Sequence, residues 1–285
     1  MRTVSIISDS TCDLSKELLE KYQITILPLH IHLGEEEYSD GIDITPEQIY
    51  EWSDANKATP KTSALSPYEA KKCLEQQLAT SKEVICFCVS EEMSSCANVM
   101  RLAATELDAQ ERVLIVNSRS LSTGIGLQII EAAVLAEQGK TLEEIGKYLE
   151  QIQPFVRASF VVDTLTYLHR GGRCSGLAAM AGSTLKLHPY ISVTDGKMQP
   201  GKKYRGKMDK VIREYVEDLK PVLRTAHKER VFITHSGCDE SIINMVKVQL
   251  EEMNYFEEIL VTRAGSVITS HCGPGTLGVL FIAGE

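Results

Sequence analysis

Short apolar runs alternate with helical patterns through the first half of the chain. The run at residues 4–8 stops at the polar Asp9-Ser10-Thr11 segment, and apolar residues then recur at helical spacing over residues 14–22. Runs of strand length return at residues 83–89 and 112–116, each followed by a serine-rich segment and a predicted helix. Strands separated by helices of this length favour a parallel sheet.

Several helix starts in this half are marked by capping residues. Thr45 and Ser66 each precede a proline and are followed three residues later by glutamine or glutamate, which is a capping box. Thr141 is followed by two glutamates, Glu143 and Glu144, in the pattern of a helix start, so another helix is predicted there. Residues 29–33 alternate leucine or isoleucine with two histidines, which predicts a strand with one wet face.

The second half of the chain has a different pattern. Residues 158–162 predict a strand, and a short helix follows that ends at Gly171-Gly172. Asp195-Gly196 between two extended runs is typical of a hairpin. The remaining predicted helices and strands lie at 208–225, 230–235, 240–253, 259–262 and 277–282.

The two halves therefore differ in fold class. A hairpin among helices indicates a mixed or antiparallel sheet, unlike the parallel sheet expected before it. We predict an α/β domain at residues 1–157, with a mainly parallel sheet flanked by helices, and an α+β domain at residues 158–285.

The charge, the apolar runs and the cysteine spacing argue against several classes of protein. The net charge of −9 argues against general nucleic-acid binding, because phosphate neutralisation needs a basic surface. The apolar stretch at the N-terminus is too short for a signal peptide, and the run at 277–283 is too short to span a bilayer. We therefore expect a cytoplasmic protein without stable membrane insertion. The eight cysteines form no C-x-x-C pair, so no metal site is predicted and the cysteines are expected to be buried.

Hydroxyl side chains gather where predicted strands pass into helices. Thr62-Ser63 and Ser94-Ser95 are two such segments, and neither contains a lysine or arginine. Because the carboxyl ends of parallel strands face one way, these segments are expected to converge on one crevice. Hydroxyls and free amides at helix starts suit an anion or carboxylate. For any one of these residues, a simple helix cap is the alternative.

Two further segments carry candidate functional residues. His271 precedes a turn containing Gly273 and Gly275, so its imidazole is held in place and can hydrogen-bond a ligand carboxylate. Arg170 and Arg173 flank a glycine pair, and a guanidinium fork matches carboxylate or phosphate. The alternatives are a buried structural histidine and a dipole-compensating helix end.

A basic run stands out in an acidic chain. Lys203 and Arg205, with three neighbouring lysines, could dock an acidic or phosphorylated partner, whereas a solvated loop is the alternative. The chain contains no P-loop, no H-E-x-x-H and no G-x-S-x-G motif. A triad is defined by geometry and not by order, so a hydrolase or small-molecule phosphotransferase using Ser94 and His271 stays open.

With these segments in order, the chain resembles the DegV family, the fatty-acid-binding subunits of bacterial fatty acid kinase systems. The segments that carry the resemblance are Ile7 to Thr11, Pro60-x-Thr62-Ser63 with Ser66, Met93 to Cys96, Ser118 with Gly124 and Gly126, Leu165 to Arg173, Asp195 to Gly206, and His271-x-Gly-Pro-Gly. They span nearly the whole chain.

The resemblance implies a largely antiparallel sheet in the second domain and a long-chain fatty acid as ligand, with no other cofactor. The carboxylate would meet Thr62, Ser94 and His271, and the acyl chain would lie in a buried tunnel among apolar residues of the second domain. A partner kinase would use ATP to phosphorylate the bound carboxylate, so the chain would be a monomeric substrate carrier and not an enzyme.

This sequence departs from the family pattern at four positions. Ser95 and Cys96 replace the usual glycine and threonine, Ala64 stands where glutamine is common, and Asn117 replaces an aspartate. A side chain at Ser95 could alter a close backbone approach, so we expect the head-group geometry, and with it ligand choice, to be sensitive to this position.

Overall fold

The computed structural model describes residues 3–174 and 187–284. Its strands are β1 (Val4–Asp9), β2 (Ile24–Leu27), β3 (His30–Leu33), β4 (Glu36–Ser39), β5 (Lys61–Ser63), β6 (Glu83–Cys88), β7 (Val113–Asn117), β8 (Val156–Val161), β9 (Leu187–Thr194), β10 (Lys197–Arg205), β11 (Arg230–His235), β12 (Glu258–Arg263) and β13 (Leu277–Ile282). Its helices are α1 (Lys16–Lys21), α2 (Pro46–Asn56), α3 (Pro67–Thr80), α4 (Cys96–Glu106), α5 (Thr123–Glu137), α6 (Leu142–Ile152), α7 (Thr166–Gly171), α8 (Met208–Leu223), α9 (Glu240–Glu251) and α10 (Ser266–Cys272), with short 3₁₀ turns at Ser10–Cys12 and Gln153–Phe155.

The first half of the chain forms a four-stranded parallel sheet in the order β2-β1-β6-β7. Strand β6 is buried on both faces, as its nearly continuous apolar sequence predicts for a central parallel strand. Thr45, Ser66 and Thr141 all form capping boxes at the starts of α2, α3 and α6. The predicted parallel sheet with flanking helices is confirmed.

The second half forms a six-stranded sheet in the order β10-β9-β8-β13-β11-β12. Every neighbouring pair is antiparallel except β11 and β12, which run parallel. Asp195 and Gly196 form the predicted hairpin turn, with φ angles of 50° and 78°. The mixed, largely antiparallel sheet is confirmed, whereas the exact division at residue 157 stays a prediction.

A third sheet was not predicted from the sequence. It has three antiparallel strands in the order β4-β3-β5, of which only β3 showed an alternating pattern. Strand β5 has three residues and β4 carries two glutamates, so neither gives an apolar signal. This small sheet matters for the site because β5 contains Thr62 and Ser63.

Helix α5 lies between the two larger sheets. It contacts β1 and β6 on one side and β8 and β13 on the other, and eleven of its fifteen residues are buried. Gly126 lets α5 pack closely against the segment that precedes α1, since a Cβ there would lie 2.7 Å from a methyl carbon of Leu14. Glu131 of α5 pairs with Arg230 of β11, which ties the helix to the second sheet.

The cysteines and the helix lengths bear on two expectations from the sequence. All eight cysteines are buried except Cys238, which is partly exposed, so the predicted burial is largely confirmed. None of the helices in the described ranges is both long and apolar enough to cross a membrane.

Candidate functional site

A cavity of about 520 Å³ collects side chains from both halves of the chain. This volume lies within the range of about 300–1,000 Å³ that is typical of small-molecule sites. Most of the wall is apolar and includes Leu121, Phe160, Leu168, Met198, Ile268 and Leu280. The predicted site residues among the lining side chains are Thr62, Ser63, Ser94, Ser95, Arg173 and His271. The cavity therefore has many apolar surfaces and a small number of polar groups.

Thr62 and His271 are joined by a hydrogen bond across the fold. The Thr62 Oγ1 atom lies 2.8 Å from His271 Nε2, although the two residues are 209 positions apart. Strand β5 positions Thr62 through its pairing with Ile31 of β3. His271 lies in the last turn of α10, a helix that the sequence did not predict, and the helix ends at Gly273.

The imidazole of His271 is neutral at physiological pH. Burial, with a smaller contribution from the nearby Arg173, lowers the pKa of His271 to about 4. Its Nδ1 atom has no hydrogen-bond partner among residues 3–174 and 187–284 and lies against Gly171, where a Cβ would come within 2.5 Å. Because no acceptor lies within reach of Nδ1 among the described residues, the neutral ring is consistent with the tautomer that carries its proton on Nε2, facing Thr62.

Ser94 and Ser95 lie at the start of α4. The Ser94 Oγ atom accepts the Cys96 N–H at 3.3 Å, so its own hydrogen stays available to a ligand. Ser95 is the N-cap residue of α4 and makes no capping bond with its side chain. The amides that follow Cys96 at the start of this helix and the two hydroxyls form a set of donors suited to an anion.

The departures from the family pattern are accommodated locally. Ser95 has φ −85° and ψ 5°, a backbone conformation that does not require glycine. The Asn117 Oδ1 atom accepts the N–H groups of Glu91 and Arg119, as an aspartate oxygen would. Ala64 lines the cavity, and its methyl group adds apolar surface there.

Ser63 is oriented differently from Thr62. Its Oγ atom lies 3.0 Å from His32 Nε2 on the exposed side of the small sheet. Neighbouring residues of a strand point to opposite faces, which accounts for this difference. Ser63 borders the cavity, but its hydroxyl is already engaged.

Arg173 is the cation that borders the cavity within the described part of the chain. One guanidinium nitrogen donates to the Gly171 carbonyl at 2.7 Å, and the side chain is otherwise exposed. Arg170, on α7, is exposed and does not border the cavity. Lys203 and Arg205 lie on the exposed edge strand β10, away from the cavity wall.

Gly273 and Gly275 shape the turn after α10. Both have positive φ angles, of 73° and 71°. A Cβ on Gly273 would lie 2.5 Å from the ring of Tyr167, and one on Gly275 would lie 3.1 Å from Asp163. Gly273 therefore lets α7 pack closely against the segment that carries His271, and Gly275 leaves room for Asp163, which precedes α7.

Two buried carboxylates that hold α10 were not predicted. Asp13 Oδ1 accepts the Gly265 N–H and Asp40 Oδ1 accepts the Ser266 N–H, both at 2.8 Å. Burial raises the pKa of both carboxyls, that of Asp13 to about 8. The sequence shows Asp13 near the polar end of the first strand, but it gives no sign that its partner is 252 positions away.

No cluster of histidine, cysteine or acidic side chains within the described ranges is arranged to hold a metal ion. Ser94 and His271 are also not joined by a hydrogen bond, because His271 Nε2 faces Thr62. The site therefore presents hydroxyl and amide donors beside an apolar cavity, and the hydroxyl that His271 contacts is that of Thr62 and not that of Ser94.

Comparison with known proteins agrees with this fold. A family model described as "Uncharacterised protein, DegV family" matches residues 3–284. A DegV domain-containing protein of Deinococcus radiodurans is 32% identical over 278 residues, which cover 97% of each chain. A fatty-acid-binding DegV family protein from Thermus thermophilus is 29% identical, with a TM-score of 0.90 over 99% of this chain and 100% of that chain.

A stearic acid-binding protein from Eubacterium ventriosum is 27% identical, with a TM-score of 0.85 over 98% of both chains. The family match covers nearly the whole chain, and the structural likeness extends over both large sheets. This chain is a member of the DegV family.

Proposed function

We propose that the protein binds a long-chain fatty acid in the cavity between its two large sheets. The observation that carries this proposal is the pairing of a small donor set with long apolar walls in one cavity. Similar proteins from Thermus thermophilus and Eubacterium ventriosum bind fatty acids, which supports the same ligand class here.

The carboxylate is proposed to lie against Thr62 and Ser94. When the Thr62 hydroxyl donates to a carboxylate, its oxygen accepts the Nε2 proton of His271, so the neutral imidazole orients the hydroxyl. Ser94, Ser95 and the first amides of α4 supply further donors. Arg173 adds a positive charge at the border of the cavity.

The acyl chain supplies most of the binding free energy. Each methylene that leaves water contributes about 0.8 kcal/mol, so ten buried methylenes contribute about 8 kcal/mol before binding entropy is counted. The apolar residues of β8, β10 and β13 that face the cavity, Phe160, Met198 and Leu280, provide this surface. With this contribution from the acyl chain, a carboxylate held mainly by neutral donors is sufficient for tight binding.

We further propose that the protein presents the carboxylate to an ATP-dependent kinase and performs no chemistry alone. The absence of a Ser94–His271 hydrogen bond supports this over a hydrolase. Arg170, Arg173, Lys203 and Arg205 are exposed and can meet a partner. We propose that the carrier acts as a monomer in the cytoplasm.

Native mass spectrometry of protein purified from cells tests the ligand. We expect an added mass of fatty-acid size that is removed by delipidation and restored by added stearic acid. Protein that stays empty after purification and also rejects added fatty acid would remove the proposal.

Charge reversal tests the partner. We expect Lys203→Glu with Arg205→Glu to reduce acyl-phosphate formation by the kinase while fatty acid affinity stays unchanged. Lys16→Glu, an exposed change on α1, is the matched control. Ester hydrolysis that is lost in Ser94→Ala would instead favour the hydrolase.

A further inference from the structure

Thr234 occupies an unusual position in the cavity wall. It lies near the end of β11, borders the cavity, and is only 6% exposed. Its side chain points to the same face as Phe232, two residues earlier in the strand. The next residue, His235, also borders the cavity. Gly278, which pairs with Thr234 across β13, has no side chain to cover the hydroxyl on that face.

Three buried threonines form a chain of hydroxyls at this point. Thr234 Oγ1 lies 2.6 Å from Thr123 Oγ1 on α5 and 3.0 Å from Thr262 Oγ1 on β12. Three hydroxyls carry three hydrogens, but only two are used by these bonds. None of the three has a further acceptor among the described residues, so one hydrogen is left over.

The spare hydrogen belongs on Thr234. Thr123 and Thr262 are 0% and 4% exposed and do not border the cavity. A donor left unsatisfied at either of these positions would carry the desolvation cost of an unpaired buried hydroxyl. Thr234 avoids that cost by accepting from both neighbours and donating into the cavity.

The other hydroxyls of this part of the wall are already committed. Thr11 donates to Asp9 at 2.6 Å and Ser122 donates to Asp13 at 2.5 Å. Ser236 and Thr276 donate to the carbonyls of residues 273 and 272. Away from the Thr62 and Ser94 region, Thr234 is thus the hydroxyl whose hydrogen faces the cavity among the described side chains.

We propose that the cavity prefers a fatty acid that carries an oxygen substituent, a hydroxyl or keto group, along its acyl chain. This inference rests on the proposed function and deepens it by naming the ligand class. An unsubstituted chain leaves the Thr234 donor facing methylenes, whereas an oxygen at the matching depth accepts its hydrogen.

Competition binding tests the preference. A bound fluorescent fatty acid is displaced by stearic acid or by hydroxystearic acids with the hydroxyl at successive chain positions. We expect at least one isomer to bind about fivefold or more tightly than stearic acid, from a net hydrogen bond of about 1 kcal/mol. A series in which no isomer binds more tightly than stearic acid would overturn the proposal.

Variants assign the preference to one hydroxyl. Thr234→Val is expected to abolish it, while Thr234→Ser retains it even if the valine variant is unstable. Thr276→Val removes a hydroxyl whose hydrogen is already donated to the Cys272 carbonyl, so it should leave the preference intact. A preference that survives in Thr234→Val refutes the role of Thr234. Failure of stearic acid and all isomers to bind would instead refute fatty acid binding itself.

Discussion

Replacing Thr62 with valine removes one oxygen from the head-group site with little change of volume. The lost atom is the Oγ1 that lies 2.8 Å from His271 Nε2. In the variant, both ring nitrogens of His271 are without a partner, because Nδ1 already has none among residues 3–174 and 187–284. The carboxylate also loses the hydroxyl proposed to donate to it.

The size of the effect follows from the kind of bond that is lost. A hydrogen bond to a charged group contributes about 1.5–3 kcal/mol. Since each 1.4 kcal/mol is tenfold in affinity, Thr62→Val should weaken fatty acid binding by about 10- to 150-fold. The acyl chain contacts are unchanged, so binding should be weakened but not abolished.

A pair of ligands separates the head group from the chain. We expect Thr62→Val to lower the affinity for stearic acid much more than for the alcohol of the same length, measured by fluorescence competition. Ser63→Ala is the matched control, because its hydroxyl contacts His32 on the exposed side of the small sheet. Its affinity for both ligands should stay near the wild-type values.

Two results would refute this reasoning. An unchanged affinity of Thr62→Val for stearic acid would show that Thr62 does not contact the carboxylate. Equal losses for the acid and the alcohol would show that the substitution distorts the cavity and not the head-group site.

Three other predictions concern stability. Burial lowers the pKa of His271 from 6.5 to about 4, so the unfolded chain binds more protons than the folded protein between these pH values. The ligand-free protein therefore loses stability as the pH falls from 6.5 to about 4. Urea unfolding of His271→Gln at several pH values should show a smaller loss of stability over the same range. Gly273→Ala should destabilise by about 1–3 kcal/mol more than Gly139→Ala in thermal unfolding, because both positions have positive φ but a Cβ at residue 273 would overlap the ring of Tyr167. Glu131→Ala should cost about 3–5 kcal/mol in urea unfolding, because Arg230 is 10% exposed and keeps only the longer ion pair to Glu258 at 3.7 Å. A change below about 1 kcal/mol would show that the Glu131–Arg230 pair does not tie α5 to the second sheet.

Much of the fold is predictable because its local signals agree with its tertiary structure. The capping boxes at Thr45, Ser66 and Thr141 fix three helix starts, since each satisfies amides at the start of its own helix. Asp195-Gly196 similarly determines a hairpin by its own backbone preferences. Such features depend on neighbours in sequence and are visible without the rest of the chain.

The site is less predictable because its contacts join distant segments. Ser94 follows β6 of the parallel sheet, but Thr62 lies in β5 of the small antiparallel sheet, so parallel-strand topology does not explain how Thr62 reaches the same cavity. Strand β5 is too short and polar for the sequence to predict this sheet. Helix α10, which carries His271, has seven residues and is held at its start by Asp13 and Asp40. No local pattern shows that carboxylates from the first half of the chain hold this helix.

The hydroxyl chain at Thr234 also lies beyond sequence analysis. Its three threonines come from α5, β11 and β12, and each is unremarkable in its own segment. Only the count of hydrogens and acceptors in the folded protein shows that one donor faces the cavity.

The most direct test of the account is a crystal structure of the protein with stearic acid bound. We predict the carboxylate within hydrogen-bonding distance of Thr62 Oγ1 and Ser94 Oγ, with the acyl chain running past Phe160 and Leu280. A carboxylate bound away from Thr62 and Ser94, or an acyl chain lying outside the cavity, would contradict the account.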